Sequence, residues 1–352
     1  MKILATGIGS MPHTEATSAL ELIFKYTPFV PFWPQLPRRS LKEGMILQFS
    51  ESFPYLEFTS QGLIIKDNYD VYLHDFYEHL IGEDIDYFKI DEDFASGIYR
   101  FYEELKMRTL EDIEFIKCQI TGPFTFSASI KDKEGFSLLH NPILMEATTK
   151  GLIRKAVWQI KFFAEFKKKI IIFFDEPYLG CFGSAYTPIE RDQVIKLLSE
   201  SFQEFKMLSK RFLNKELNQE VLLGIHCCGN TDWSIFTDIL EIDIISFDAF
   251  SFLERVLLYT DDIKGFFKRG GLLCWGIIPT LEFKATETEE FLLERIKEAV
   301  KFMFKKGIDR DLILERAIFS PACGLGGVSE ENSQKILKLL FNTTNKLFDK
   351  LI

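Results

Sequence analysis

Two cysteines, a histidine and an aspartate in this sequence are residue types that bind zinc. His226 and Cys228 form a His-x-Cys pattern, Asp248 adds a carboxylate, and Cys323 adds a second thiol. Zinc prefers imidazole and thiolate ligands in a tetrahedral set, and an oxygen donor can hold the fourth place. Because side chains alternate along a strand, His226 and Cys228 would share one face of an extended segment. The pattern predicts a zinc site, and buried core cysteines are the alternative that the same spacing allows.

These residues are far apart along the chain, so the fold must bring them together. Eight short runs are apolar on both faces, which is typical of parallel strands covered by helices. They cover residues 3–8, 29–33, 115–120, 169–174, 221–225, 243–247, 272–277 and 317–320. Amphipathic helical patterns lie between several of them, and this alternation predicts an α/β fold of the (β/α)8 TIM barrel type. The candidate ligands follow the fifth, sixth and eighth runs, whose carboxyl ends meet at the catalytic face of a barrel.

The chain length suits one barrel with an addition. The 352 residues exceed a minimal barrel, and no linker, repeat or low-complexity tract divides them. The stretch after the second predicted strand is too long for one crossover. We therefore predict a single domain over 1–352, with an insertion at about 38–110 that covers the barrel mouth.

Composition excludes several classes of protein. The formal net charge is −10, which disfavours partners such as nucleic acid or anionic membranes, since both need a basic surface. No stretch of about 18 apolar residues is present, so no membrane span is expected. The start of the chain breaks at Gly7 and Gly9, too early for a signal peptide, and the six cysteines do not form a disulfide framework. We expect a soluble cytoplasmic protein with reduced thiols.

Five short motifs occur in a characteristic order. They are GIGSMP at 7–12, TGP at 121–123, DEP at 175–177, HCC at 226–228 and PACGL at 321–325. Together they resemble the catalytic half of cobalamin-independent methionine synthase. This family is related to uroporphyrinogen decarboxylase and to the zinc methylcobamide:coenzyme M methyltransferases. The resemblance covers most of the chain except the insertion.

The resemblance implies a role for each matching residue. It implies that zinc is bound by His226, Cys228, Asp248 and Cys323, and we assign no catalytic residue in this sequence beyond the zinc site. The family usually has glutamate at the position of Asp248, so this residue is a departure. The homocysteine amino group would pair with Asp175. The carboxylate side of the substrate would contact Ile8, Gly9 and Ser10, and a further family segment makes Gln48 and Glu51 candidate substrate-binding residues.

Two other departures concern the methyl donor. The folate-binding glutamate of the family is replaced by Cys181, and the turn that carries the family's proton-donating histidine reads GIIPT at 276–280. Transfer from methyltetrahydrofolate needs a general acid, whereas cobalt(I) leaves a methyl group without a proton. The sequence therefore predicts a zinc-dependent methyltransferase that makes methionine from homocysteine, with a methylcorrinoid, carried by a corrinoid protein, as the donor.

Three alternatives remain at this point. The acceptor could be another thiol such as coenzyme M, although Asp175 favours a substrate with an amine. The chain could be a metal-free decarboxylase, since 31–39 resembles the arginine-bearing start of uroporphyrinogen decarboxylase, but the acidic charge disfavours a polyanionic substrate. It could also be a barrel that has kept the fold without the chemistry.

Overall fold

The computed structural model describes residues 2–60, 62–82, 84–184, 189–213 and 219–351. Nine strands are present among these residues: β1 Leu4–Ala5, β2 Leu56–Thr59, β3 Gly62–Ile65, β4 Phe115–Thr121, β5 Lys169–Asp175, β6 Val221–Cys227, β7 Ile244–Phe247, β8 Leu272–Ile278 and β9 Ala317–Pro321. None of the described helices is long and apolar enough to cross a membrane.

Helices follow and connect these strands. The α-helices are α1 Ala16–Tyr26, α2 Tyr69–Ile81, α3 Ser96–Met107, α4 Pro123–Ser129, α5 Pro142–Phe163, α6 Arg191–Ser209, α7 Ser234–Asp238, α8 Ala249–Val256, α9 Thr260–Lys268, α10 Glu289–Lys305, α11 Arg310–Glu315 and α12 Glu330–Leu351. Short 3-10 turns cover Leu41–Glu43, Leu47–Phe49, Ile85–Phe88, Leu138–His140, Ala164–Phe166, Pro177–Cys181 and Leu257–Tyr259.

Seven of the strands form one parallel sheet. Its order is β1-β9-β8-β7-β6-β5-β4, and β2 pairs with β3 in a separate antiparallel hairpin. From β4 to β9, each strand is connected to the next by at least one helix, as the alternating sequence pattern predicts. The parallel α/β architecture is thus confirmed.

The second predicted strand, 29–33, forms no strand ladder. Phe32 makes one isolated parallel bridge to Lys117 of β4. Prolines at 28, 31 and 34 interrupt this segment, and proline has no N–H to donate to a ladder. The segment nevertheless lies against both edges of the sheet, because the Phe29 carbonyl accepts from Phe115 N at 3.1 Å and the Val30 carbonyl accepts from Thr6 Oγ1 at 2.9 Å. The sheet is therefore curled, with its two edge strands on either side of one segment.

Side chains on the concave face change from apolar to polar toward the carboxyl ends of the strands. A small apolar cluster fills the lower part: Val30, Phe115, Ile171, Phe173, Ile244, Cys274 and Ile318. Above it on the same faces lie Asp175, His226 and Ser246, which are paired in register across β5, β6 and β7. Strand alternation thus places three polar side chains side by side at the carboxyl edge.

The insertion packs on the outside of α5 and at the end of β4. Tyr55 forms a hydrogen bond with Thr148 of α5 at 2.9 Å, and the rings of Phe53, Tyr55 and Phe76 contact one another at tilted or edge-on angles in the buried core. Thr121 at the end of β4 donates to the Met45 carbonyl at 2.6 Å. The segment before the hairpin therefore contacts the edge of the sheet at which the candidate ligands lie.

Candidate metal centre

Three of the four predicted zinc ligands come together. One ligand atom each from His226, Cys228 and Cys323 lies within 4.8 Å of the others, and this His-Cys-Cys cluster is the one such group among the described residues. His226 is buried in β6, Cys228 follows β6, and Cys323 follows β9. Both thiols are partly exposed, so the cluster is accessible from the carboxyl edge.

The imidazole of His226 is oriented by the neighbouring strand. Its Nδ1 lies 2.9 Å from Ser246 Oγ, and its Nε2 is buried with no hydrogen-bond partner. A buried ring nitrogen without a partner is costly unless it binds something. A metal-bound histidine commonly has its second nitrogen fixed by such a hydrogen bond. The donor set and the free Nε2 therefore fit a soft divalent metal such as zinc.

The two thiols interact directly. The Cys323 thiol beside Cys228 lowers the pKa of Cys228, and the same contact together with burial raises the pKa of Cys323. Two thiolates this close would repel each other. A bound cation would allow both to ionise.

Asp248, the fourth predicted ligand, is not part of the cluster. The strand β7 ends at Phe247 and helix α8 begins at Ala249, so Asp248 is the N-cap of α8. Its Oδ1 accepts a hydrogen bond from Ser251 N at 2.8 Å. Asp248 thus satisfies an amide of the first turn of α8, and among the described residues the cluster contains three candidate ligands.

Asp175 lies next to the cluster, on the strand beside His226. The two residues are paired in register, and Asp175 is buried with no hydrogen bond to its Oδ1. Burial raises the pKa of Asp175 to about 6, although His226 and the Lys117 ammonium oppose the rise. An unpartnered buried carboxylate beside the cluster is suited to bind a cationic group of a ligand.

The neighbouring carboxylate, Glu176, has a structural task. It accepts hydrogen bonds from Phe124 N at 2.9 Å, from Thr125 N at 2.8 Å and from Thr125 Oγ1 at 2.7 Å. These donors belong to the first turn of α4, whose amides have no partner within the helix. Of the two acidic residues in the DEP motif, only Asp175 is free for a ligand.

A buried lysine beneath the site was not predicted. Lys117 of β4 is fully buried, and its Nζ donates to the Ile8 carbonyl and, at 3.0 Å, to Gln119 Oε1. Burial lowers the pKa of Lys117 to about 8, while the nearby Asp175 opposes this shift. The only sequence signal was a charged residue inside an apolar run. Lys117 connects the end of β1 to the strand pair that carries Asp175.

The predicted substrate-binding turn lies at the same edge. A side chain at Gly9 would overlap Gln35 Oε1 and the Gln119 side chain. Ser10 contacts the turn that follows Cys323, since its Oγ accepts from Gly326 N at 3.1 Å. Ile8 is buried, and its carbonyl is bound by Lys117. The structure therefore places this turn beside the cluster.

Gln48 and Glu51 are not brought into the cluster. Gln48 is buried, accepts from Gln35 Nε2 at 2.6 Å and donates to the Phe94 carbonyl at 2.8 Å. The Glu51 carboxylate accepts from Asp91 N at 2.9 Å. Glu51 thus binds within the insertion, whereas Gln48 binds the insertion to Gln35, which contacts the loop after β1.

Removing the Ser246 hydroxyl should weaken metal binding without unfolding the chain. In Ser246→Ala, His226 loses the partner of its Nδ1, and we expect zinc affinity to fall about 10- to 100-fold. Competition of the purified protein against a chromophoric zinc chelator measures this change. An affinity within twofold of the unmodified protein would show that Ser246 does not orient the histidine.

Two surface grooves lie elsewhere. One of about 530 Å³ is lined by residues of α4, α5 and α6, and one of about 820 Å³ lies between the β2–β3 hairpin and the start of α5. None of the cluster residues lines either groove. The cluster therefore lies outside both grooves.

Comparison with known proteins shows no family. No protein-family model matches the sequence, and no curated protein does. Among solved structures, the chain is similar to apo 3-keto-D-glucoside 4-epimerase from E. coli, with a TM-score of 0.38 and 12% identity over 70% of this chain and 86% of that one. It is also similar to D-psicose 3-epimerase in the presence of D-fructose, with a TM-score of 0.42 and 10% identity over 72% and 84%. Similarity at this level is too low to indicate a shared activity.

Proposed function

We propose that the protein is an enzyme that transfers a methyl group to the thiol of homocysteine, with zinc at the His-Cys-Cys cluster and a methylcorrinoid protein as donor. The observation that carries this proposal is the convergence of the three ligands within 4.8 Å beside a buried, unpartnered carboxylate. The motif resemblance supplies the reaction, and the geometry supports it because three of the four residues that match the family's zinc ligands lie together.

His226, Cys228 and Cys323 would hold the metal. Zinc held by this set would lower the pKa of a substrate thiol and so favour the nucleophilic thiolate at neutral pH. Because Asp248 caps α8, the three cluster residues would leave room for a substrate thiol. All six cysteines are free, and thiols in this role need a reducing compartment, so we place the protein in the cytoplasm.

Asp175 would select the acceptor. Homocysteine carries an ammonium group, and a buried carboxylate next to the metal ligands can pair with it and orient the sulfur. Coenzyme M has a sulfonate and no amine, so it would place an anion near an unpaired carboxylate. The environment of Asp175 therefore favours an amino-acid thiol.

The choice of methyl donor rests on the absence of a proton-donating residue at the positions that serve the folate in the family. Cys181 replaces the folate-binding glutamate and is exposed beside the loop that follows β6, where Gly180 packs closely on Gly229. The GIIPT segment at 276–280, where β8 ends, provides no proton donor for a departing folate. A methyl group on cobalt(III) needs none, and this supports the corrinoid donor.

The finer architecture that we infer is a closed barrel. The segment 29–35 contacts both edges of the sheet, since Gln35 N donates to the Gly9 carbonyl at 3.1 Å while the Pro31 carbonyl accepts from Lys117 N at 2.9 Å. This segment would occupy the eighth strand position of the barrel, although its prolines prevent a continuous hydrogen-bonded ladder. Closure of this kind gathers all strand ends at one mouth, as a barrel enzyme requires.

A donor assay tests the proposal. Purified zinc-loaded protein is incubated with homocysteine and either methylcobalamin or methyltetrahydrofolate, and methionine is measured. We expect methionine to form with methylcobalamin and not with methyltetrahydrofolate, and we expect none after the metal is removed with a chelator. Turnover with the folate and none with the corrinoid would refute the donor. Coenzyme M methylated faster than homocysteine would refute the acceptor.

A further inference from the structure

The turn that carries Cys323 rests on the loop after β1. The Ser10 carbonyl accepts a hydrogen bond from Leu325 N at 2.9 Å, and Ser10 Oγ accepts one from Gly326 N at 3.1 Å. One residue thus binds two successive amides, two and three positions beyond the metal ligand. On the other side of Cys323, Ala322 N donates to the Ile278 carbonyl at 2.8 Å.

Steric contact adds to these hydrogen bonds. A Cβ at Gly324 would overlap Ser10 Oγ, and a Cβ at Gly326 would lie 3.2 Å from both Ser10 Cβ and Ser10 Oγ. The turn therefore wraps directly around the Ser10 side chain, and the two glycines allow this close approach.

The loop that carries Ser10 is itself fixed. Gly9 and Met11, on either side of Ser10, are both bound to the backbone of Gln35, with distances of 3.1 and 2.9 Å. The Ile8 carbonyl accepts from the buried Lys117 ammonium. Ser10 consequently stands on a rigid support, and a shift of its side chain would be transmitted to the Cys323 turn rather than absorbed by the loop.

We infer that Ser10 is a positioning residue for the metal ligand Cys323, rather than a contact for the substrate carboxylate. Cys323 comes from β9, whereas His226 and Cys228 come from β6, so the metal site depends on the placement of two distant strand ends. Ser10 fixes the position of Cys323 through the turn that it binds. This inference rests on the metal site of the proposed function and is independent of the methyl acceptor and donor.

The test is zinc affinity in Ser10→Ala, measured by chelator competition. We expect an affinity about 10- to 100-fold lower than that of the unmodified protein, as for other groups that orient metal ligands. Cobalt(II) substitution gives a second readout, because the thiolate-to-cobalt absorption band should weaken when Cys323 no longer reaches the metal. The apparent KM for homocysteine at saturating zinc should change less than twofold.

Ser137→Ala is the matched control. Ser137 Oγ also accepts a backbone amide, that of Leu139 at 3.2 Å, in a turn that contains no cluster residue. This variant should keep its zinc affinity. If Ser10→Ala does not fold, Gly326→Ala pushes the same turn away from Ser10 and Pro37, whose nearest atoms lie 3.2 and 2.8 Å from the added Cβ, and should give the same loss of affinity.

Two results would overturn the inference. Zinc affinity within twofold of the unmodified protein in Ser10→Ala would show that the turn holds Cys323 without the serine. A raised KM for homocysteine with unchanged zinc affinity would assign Ser10 to the substrate instead. If the protein transfers no methyl group at all, the proposed function fails, and the affinity comparison still decides the role of Ser10.

Discussion

Replacing Cys228 by serine should remove zinc from the protein and abolish methyl transfer with it. The variant keeps the size of the side chain but loses one of two soft thiolates from a set of three protein ligands. A serine hydroxyl remains protonated at neutral pH and binds zinc poorly, so we expect affinity to fall roughly 1,000-fold or more. Metal analysis after dialysis should find close to one zinc per chain in the unmodified protein and almost none in Cys228→Ser.

The control for this experiment is Cys181→Ser. Cys181 is the exposed thiol, and it is not a member of the His-Cys-Cys cluster. Its removal should leave the zinc content and the rate of methyl transfer unchanged. Full zinc occupancy in Cys228→Ser would contradict the metal site, and activity without zinc would contradict the mechanism even if the metal were lost.

The sequence predicted the cluster because strand alternation is a strong constraint. His226 lies in β6 and Cys228 is the first residue after it, so both side chains leave the sheet on the same side when the extended backbone continues for one residue past the strand end. Cys323 follows another strand of the same parallel sheet, and carboxyl ends of such strands meet at one edge. The motif and the fold therefore led to the same three residues from independent directions.

Asp248 lies outside the cluster, and the element boundary beside it gives a physical reason. The carboxylate has the right chemistry and follows β7, but a helix begins at the next residue. Strand periodicity no longer applies at such a boundary, and capping the helix amides competes with metal binding for the same carboxylate. The position of an element boundary to within one residue is not encoded in the apolar pattern.

The sequence pattern also did not predict the contacts of the polar residues that are buried under the site. Lys117 and Ser246 stand inside runs that predict strands, and the apolar residues around them gave no indication of a partner. Lys117 binds the Ile8 carbonyl and Ser246 binds His226, contacts across 109 and 20 residues of chain. Only the register of the sheet shows that they lie next to the ligands.

Asp175→Asn should separate substrate binding from metal binding. Asparagine has nearly the same shape but no charge, so the ammonium group of homocysteine loses its ionic partner in a buried site. A charge-assisted hydrogen bond of this kind contributes about 1.5–3 kcal/mol. We therefore expect the KM for homocysteine to rise about 10- to 150-fold. Steady-state kinetics at saturating methylcobalamin measures it, and zinc content should not change.

A thiol without the amine provides the matched control for Asp175→Asn. The acid 4-mercaptobutanoate keeps the chain length, thiol and carboxylate of homocysteine and lacks only the ammonium group. The unmodified protein should bind it weakly, because its buried carboxylate at Asp175 then stays unpaired. Asp175→Asn should accept it at least as well as the unmodified protein does, which reverses the order seen with homocysteine. An equal rise in KM for both thiols would show that Asp175 supports the site without recognising the amine.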